Sequence, residues 1–183
     1  MLTIEVAEQD LFNEATMEFL RTPRFTLKLE HSLISISKWE AKWHKSFIDN
    51  LKQATAEEIV DYIRCMTLNT VPDDNIYKAL SNDNIKAIVD YINDPMTAST
   101  VNDKAFKRGG GSGAYITSEL VYYWMTAFHI PFECEKWHFN RLMMLIKICN
   151  AKNQPSKKMS KGAIMNRNKA LNEARRAQLN SKG

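Results

Sequence analysis

The sequence has few cysteines, and their placement argues against a disulfide-stabilised fold. There are three, Cys65, Cys134 and Cys149, spread widely along 183 residues. Small secreted domains held by disulfides carry an even and dense set, so a reducing compartment is the simpler interpretation. The chain also lacks a charged-then-apolar leader and any long uncharged apolar run. We therefore expect neither secretion nor membrane spanning, and no membrane partner.

Catalytic motifs are lacking as well. The glycine-rich run Arg108–Gly113 has no Gly-Lys-Ser/Thr ending, which a phosphate-binding loop needs for its phosphate and magnesium contacts. Cys134 and His138 have metal-compatible spacing, but no second ligand pair accompanies them. A Cys–His nucleophilic pair would also need an orienting residue and an oxyanion hole, and the sequence indicates neither. The prediction is a protein that is not an enzyme and holds no metal or cofactor.

The charge that the chain does have is unevenly distributed. Residues 152–183 hold nine Lys/Arg and one acid, a formal charge of +8, whereas the net charge of the whole chain is +4. The body, residues 1–151, therefore carries −4. We predict a basic C-terminal helix, roughly Ser160–Leu179, in the tail 152–183. Its cations are candidates for contact with an acidic protein, with nucleic acid as the alternative and simple solvation as a third interpretation. The cations singled out are Arg167, Lys169, Arg175 and Arg176.

The N-terminal region 1–31 carries the strand signals. Apolar residues alternate with polar ones over Leu2–Val6 and again over Phe25–Leu29. This period of two is typical of half-buried strands, so the two runs are predicted to pair as an antiparallel β-hairpin. The segment between them, Asp10–Leu20, is predicted to be a loop or a short helix.

The rest of the body has helical patterns, so the predicted fold is mainly α. Ser/Thr-x-x-Glu capping boxes at Ser37 and Thr55 predict two helix starts, and the helical period places Ile59 on the inward face of the second. A short helix is predicted after Pro72. Another is predicted after Asn82 or Asp83, with Val89 among its apolar residues, ending at Pro95. Residues 96–115 lack an apolar period and contain most of the glycines, which predicts a flexible insertion within the domain.

The largest side chains concentrate in the stretch Ile116–Asn150. Apolar residues at four-residue steps predict a helix capped by Thr117 or Ser118, and Pro131 predicts a second helix after a break at His129–Ile130. We favour these aromatic residues as core, with an exposed groove for a partner as the alternative. The candidate partner-binding residues of this corner are Trp124, Phe128, Phe132, Trp137 and Met143.

Six blocks of the chain form a recognisable set: Leu29–Glu40, Glu57–Leu68, Ile116–Met125, Ile130–Cys134, Lys136–Leu142 and Lys157–Lys161. Together they resemble the tail assembly chaperones of long-tailed (siphovirus-type) bacteriophages. The resemblance covers most of the chain except the glycine-rich insertion, and it rests on general similarity because the family has no catalytic signature.

The resemblance implies a chaperone that binds the helical tape-measure protein in the host cell cytoplasm. Such proteins keep the tape measure soluble while tail-tube subunits polymerise around it, and they are absent from the mature virion. The implied further partners are the tail-tube protein, a longer form of the same chain made by ribosomal frameshifting, and other copies of the chain. Methionine-rich helix faces such as that around Met143 suit adaptable apolar contacts. The alternatives are a nucleic-acid-binding phage protein acting through its basic tail, and a structural component of the virion tail or connector.

Overall fold

The computed structural model describes residues 1–13, 17–100, 115–153 and 160–179, and within them the fold is mainly α. This confirms the predicted fold class. The β-strands are β1 (Leu2–Val6), β2 (Gln9–Asn13), β3 (Glu18–Thr22) and β4 (Phe25–Leu29). The helices are α1 (Leu33–Trp43), α2 (Phe47–Asn50), α3 (Ala56–Met66), α4 (Asn75–Lys78), α5 (Asn82–Asn93), α6 (Ser118–Ala127), α7 (Phe139–Asn153) and α8 (Lys161–Leu179), with 3-10 turns at Leu51–Gln53 and Phe132–Lys136.

The predicted pairing of the first and last strands is confirmed. β1 and β4 are antiparallel, with Leu2 opposite Leu29 and Val6 opposite Phe25. Apolar and polar residues alternate in these strands because one face of the pair is buried. The apolar residues Ile4, Val6, Leu27 and Leu29 are all buried.

Between these strands the prediction of a loop or short helix over Asp10–Leu20 is wrong. β2 and β3 form a second antiparallel pair, with Phe12 opposite Phe19 and their ring centroids 5.2 Å apart. At its base the Thr22 hydroxyl donates to the Gln9 carbonyl at 2.7 Å. The strands are stabilised by these cross-strand contacts, which no pattern within either strand reveals.

Of the caps predicted for α1, α3 and α5, only that of α3 is confirmed. Thr55 and Glu58 form the predicted box at the start of α3. The predicted box of Ser37 and Glu40 is wrong, because α1 begins at Leu33, with Ser32 as N-cap and Ser35 completing the box. At the start of α5 the N-cap is Ser81 rather than Asn82 or Asp83.

The core of the body forms around α1, which packs on α3 and α6, while α5 packs on β1. The buried apolar side chains of these elements and of α7 form one cluster. Its fully buried members include Leu33, Ile36, Trp39, Ile63, Met66, Ile88, Met125, Leu142 and Ile146. The chain divides into two compact units, Met1–Ala151 and Lys152–Gly183.

Candidate apolar docking site

The chain turns sharply after α6, at the position that the sequence predicts. His129 has a positive φ of 55°, the left-handed conformation that commonly ends a helix. The His129 amide donates to the Thr126 carbonyl at 3.1 Å, and the Ile130 amide donates to the Met125 carbonyl at 2.8 Å. These two bonds make a Schellman motif, and the buried side chains of Met125 and Ile130 supply its apolar contact. The predicted break at His129–Ile130 is confirmed.

The segment after the corner differs from the prediction. Pro131 leads into the 3-10 turn Phe132–Lys136, and the second helix, α7, begins only at Phe139. The closest packing of α6 is on α1 rather than on α7. The expected helical hairpin is therefore opened by an intervening turn.

The corner residues predicted to bind a partner divide into two groups. Trp124, Phe128 and Met143 are half-buried and pack against the core, while Val121 and Met125 fill the interior side of α6. Phe132 and Trp137 are exposed, at 56% and 36%. Trp124 and Phe128, which are four residues apart, thus lie at the side of α6. Its buried face is formed by the smaller residues Val121 and Met125.

Charged groups lie beside the exposed aromatic rings of the corner. The Arg141 guanidinium lies 4.5 Å from the Trp137 ring centroid, a cation–π distance. The Tyr122 hydroxyl donates to the Glu135 carboxylate at 2.9 Å, and burial together with this bond raises the pKa of Tyr122 to about 12. This surface therefore has exposed apolar area, and these charged and polar groups are already paired with each other or with the aromatic rings.

A second apolar surface, which the sequence did not single out, lies between α3 and α5. It is a cleft with a volume of about 200 Å³, hereafter the α3–α5 cleft. Nine of its eleven lining residues are apolar or aromatic. The lining residues are Trp39, Phe47, Leu51, Ala54, Glu58, Ile59, Tyr62, Ile63, Val89, Ile92 and Asn93.

The floor of the cleft is rigidly constructed. Trp39 is fully buried, and its indole N–H donates to the backbone carbonyl of Glu58 at 2.9 Å. This bond fixes the orientation of the ring. The Phe47 and Tyr62 rings stack with centroids 3.9 Å apart. The indole N–H is paired with a backbone carbonyl, and the other two rings stack on each other. The floor of the cleft is therefore apolar and its side chains are held in place.

The rim of the cleft leaves apolar side chains in contact with solvent. Ile59 on α3 is 39% exposed and Val89 on α5 is 46% exposed. The prediction that Ile59 faces inward is wrong, and Val89, expected among the apolar residues on one side of its helix, is exposed as well. No neighbouring element of the described chain covers either side chain, so the apolar stripe of each helix extends beyond the core.

The charged group at the cleft edge is already paired. The Glu58 carboxylate accepts from the Lys45 ammonium at 2.6 Å and from the Thr55 amide at 2.8 Å. These bonds hold the pKa of Glu58 below its ordinary value. The cleft therefore offers apolar contact without an unpaired carboxylate at Glu58, which suits an apolar side chain better than a cation.

The structure places Cys134 and His138, the candidates for catalysis or metal binding, in different local surroundings. Cys134 lies in the 3-10 turn, and burial raises the pKa of its thiol, which disfavours the nucleophilic thiolate. His138 lies outside that turn, and its Nε2 contacts the Tyr91 carbonyl at 2.9 Å. Among the described residues no group of three potential His, Cys, Asp or Glu ligands is arranged to hold a metal ion.

The basic residues of the tail lie on α8. Arg167, Lys169, Arg175 and Arg176 are all exposed, and Glu173 is the acid of the same helix. The glycine-rich segment 101–114 and Lys157–Lys158 lie outside the described residues, so those predictions stay predictions. In the ranges that the structure covers, no helix is both long and apolar enough to cross a membrane.

Comparison with models of protein families, with characterised proteins and with solved structures finds no match to this chain.

Proposed function

We propose that this protein is a non-enzymatic tail assembly chaperone of a long-tailed bacteriophage. It would bind the helical tape-measure protein in the host cytoplasm, keep it from aggregating until the tail tube polymerises, and be absent from the finished virion. The resemblance to that family suggests the partner, and the α3–α5 cleft is the one structural observation that carries the proposal. The tail-tube protein, a frameshifted longer form and other copies of the chain are secondary proposed partners.

The cleft has the chemistry that such a partner requires. A tape-measure helix that is not yet enclosed presents apolar side chains at i, i+3, i+4 and i+7, which bind into apolar grooves on other proteins. A volume of about 200 Å³ accommodates one or two large side chains of such a stripe. The exposed rim residues Ile59 and Val89 would extend contact along the helix on either side of that anchor.

The decisive experiment places a charge at the rim of the cleft. Ile59→Glu and Val89→Glu replace side chains that are already partly solvated, so the fold tolerates them, while a bound apolar helix would bury the new carboxylate. The phage tape-measure protein is co-expressed with each variant, and its soluble fraction and co-purification are measured. Both variants should lose the partner. Leu68→Glu is the matched control, because Leu68 is 61% exposed and lies outside the cleft.

A second pair of variants tests the surface that the sequence indicated. Phe132→Glu and Trp137→Glu alter the exposed corner without touching the cleft. If these variants lose the tape-measure protein while Ile59→Glu retains it, the corner is the binding surface and the cleft is not. If every variant binds as the unaltered protein does, neither apolar surface serves the partner.

Binding of nucleic acid is the second candidate, favoured by the exposed cations on α8. Each phosphate contact made by a cation releases a counterion, so affinity would fall steeply with salt. The double variant Arg175→Glu, Arg176→Glu should then abolish binding to a labelled duplex. Under the chaperone proposal the same variant should still bind the tape-measure protein, because that protein binds to the cleft. A structural role in the tail or connector is distinguished by mass spectrometry of purified particles, since the chaperone should be missing from them.

A further inference from the structure

Two histidines are buried side by side where four segments of the body meet. His31, between β4 and α1, is 3% exposed, and His138, just before α7, is 6% exposed. Their ring centroids lie 5.0 Å apart in an edge-on arrangement. Tyr62 of α3 and Tyr91 of α5 complete the cluster, hereafter the histidine pair and its two tyrosines.

The same residues attach the beginning of α7 to the body. The Phe139 amide donates to the His31 carbonyl at 2.7 Å, and Ser32 and His138 form an isolated β-bridge. Beyond this attachment α7 is held mainly by side chains such as Leu142 and Ile146. In the described part of the chain, the close backbone packings of the body, such as α1 on α3 and α5 on β1, do not involve α7.

At His138 the hydrogen bonds of the described residues leave no acceptor for an added proton. A carbonyl oxygen only accepts, so the contact of His138 Nε2 with the Tyr91 carbonyl, at 2.9 Å, requires Nε2 to carry the proton. The buried Nδ1 of His138 is then a bare lone pair, and it has no hydrogen-bond partner among the described residues. A proton added there would create a buried cation without an acceptor. The His31 Nδ1 lies 2.5 Å from the Tyr62 hydroxyl, which is neutral.

The groups around His31 disfavour a positive charge on its ring. Apolar rings of Phe47 and Phe139 cover His31. Burial first, and the neighbouring His138 second, lower the pKa of His31 to about 3. The carboxylate nearest in sequence, Glu30, accepts from the Tyr91 hydroxyl at 2.6 Å. The titratable groups that act on the cluster from the surrounding elements are Tyr62, Cys65, Glu40, Tyr91, Glu30 and Asp94.

We infer that the histidine pair is an acid-sensitive latch, which holds the start of α7 on the body at neutral pH and releases it in mild acid. Release brings the His31 imidazole into water, where it takes up a proton at its ordinary pKa, so protons favour the released state. The released α7 would present Phe139, Leu142 and Ile146, an apolar stripe that is covered at neutral pH. This inference does not depend on the proposed function.

The test is amide hydrogen exchange of the full chain at pH 7.5 and pH 5, corrected for the intrinsic exchange rate at each pH. From the shift at His31, the opening constant of the amides at the start of α7 should rise about thirtyfold between the two pH values. At both pH values α7 should open more readily than α3. Equal protection of α7 and α3, or an α7 opening that does not increase in acid, would overturn the latch.

Glutamine variants separate the imidazoles from other acid effects. In His138→Gln the side-chain amide can still donate to the Tyr91 carbonyl, and in His31→Gln it can still bond the Tyr62 hydroxyl, yet neither side chain titrates. The double variant should show no increase in α7 opening between pH 7.5 and pH 5. His44→Asn is the matched control, since His44 is exposed and asparagine tolerates its positive φ. A thirtyfold rise that persists in the double variant would sink the inference, and His31→Gln alone serves if the double variant does not fold.

Discussion

A buried carboxylate on α1 determines where α6 begins, and its removal should be costly. Glu40 is 7% exposed, and its two oxygens accept from different segments. Oε1 accepts from the Phe47 amide at 2.8 Å and Oε2 accepts from the Ser118 amide at 2.7 Å. Thr117, the N-cap residue of α6, makes no side-chain capping bond. Glu40 therefore takes the place of a local cap on α6.

The size of the effect follows from these two bonds. Glu40→Ala leaves two amides without acceptors, and each unpaired buried donor costs about 1–3 kcal/mol, so the free energy of unfolding should fall by about 2–6 kcal/mol. The variant no longer buries a charge, and this gain offsets part of the loss. The expected loss in the free energy of unfolding therefore lies in the lower half of that range. Glu40→Gln keeps one acceptor and should lose roughly half as much. Since domains of this size are stable by about 5–15 kcal/mol, Glu40→Ala approaches the limit of folding.

Urea denaturation followed by circular dichroism measures both variants. Glu57→Ala is the control, because Glu57 is an exposed acid in the first turn of α3, and it should cost no more than about 1 kcal/mol. A loss below about 0.5 kcal/mol for Glu40→Ala, or a larger loss for Glu40→Gln than for Glu40→Ala, would refute the reasoning from paired amides.

Three further predictions concern the core, a cap and acid. Met125→Ala should lower the free energy of unfolding by about 2–4 kcal/mol, while exposed Tyr123→Ala should change it by less than about 0.5 kcal/mol in the same urea titration. Thr55→Ala should cost about 1 kcal/mol, and Thr55→Ser, which keeps the capping hydroxyl, should cost much less. The lowered pKa of His31 means that the unfolded chain takes up its proton first as pH falls, so stability is lost from about pH 6.5 downward, by about 2 kcal/mol at pH 5 relative to pH 7. His31→Gln should remove that dependence, and a slope unchanged by the variant would contradict it.

The sequence predicted some, though not all, of the features whose cause lies within a few residues. The capping box at Thr55 and the break at His129 are both local, since the bonds join residues three to five apart. Glu40 shows the limit of this reasoning. Its spacing from Ser37 fits a capping box, yet its oxygens are used by amides 7 and 78 residues away. Spacing identifies a residue that is able to cap, and only tertiary contact decides what it caps.

The candidate site was harder to predict for the same reason. The helical period groups Ile59 and Val89 with the apolar residues of α3 and α5, but it does not reveal whether another element covers them, and both are exposed. Trp124 and Phe128 illustrate the opposite case, because aromatic residues suggested as a binding surface are partly taken into the core.

The size of the α3–α5 cleft also limits how tightly the proposed chaperone can hold its client. One or two buried large side chains contribute about 1.5–3 kcal/mol each, which is comparable to or less than the cost of immobilising two molecules. A single site should therefore bind weakly, as a chaperone displaced by polymerising tube subunits requires. Strong retention must then come from many sites along one long client, where each further contact is made at high effective concentration. On the proposed function, one apolar segment of the tape measure should bind far more weakly in isothermal titration than the whole protein, with several chaperones bound per client. A single segment that binds as tightly as the complete client would contradict this account of the cleft.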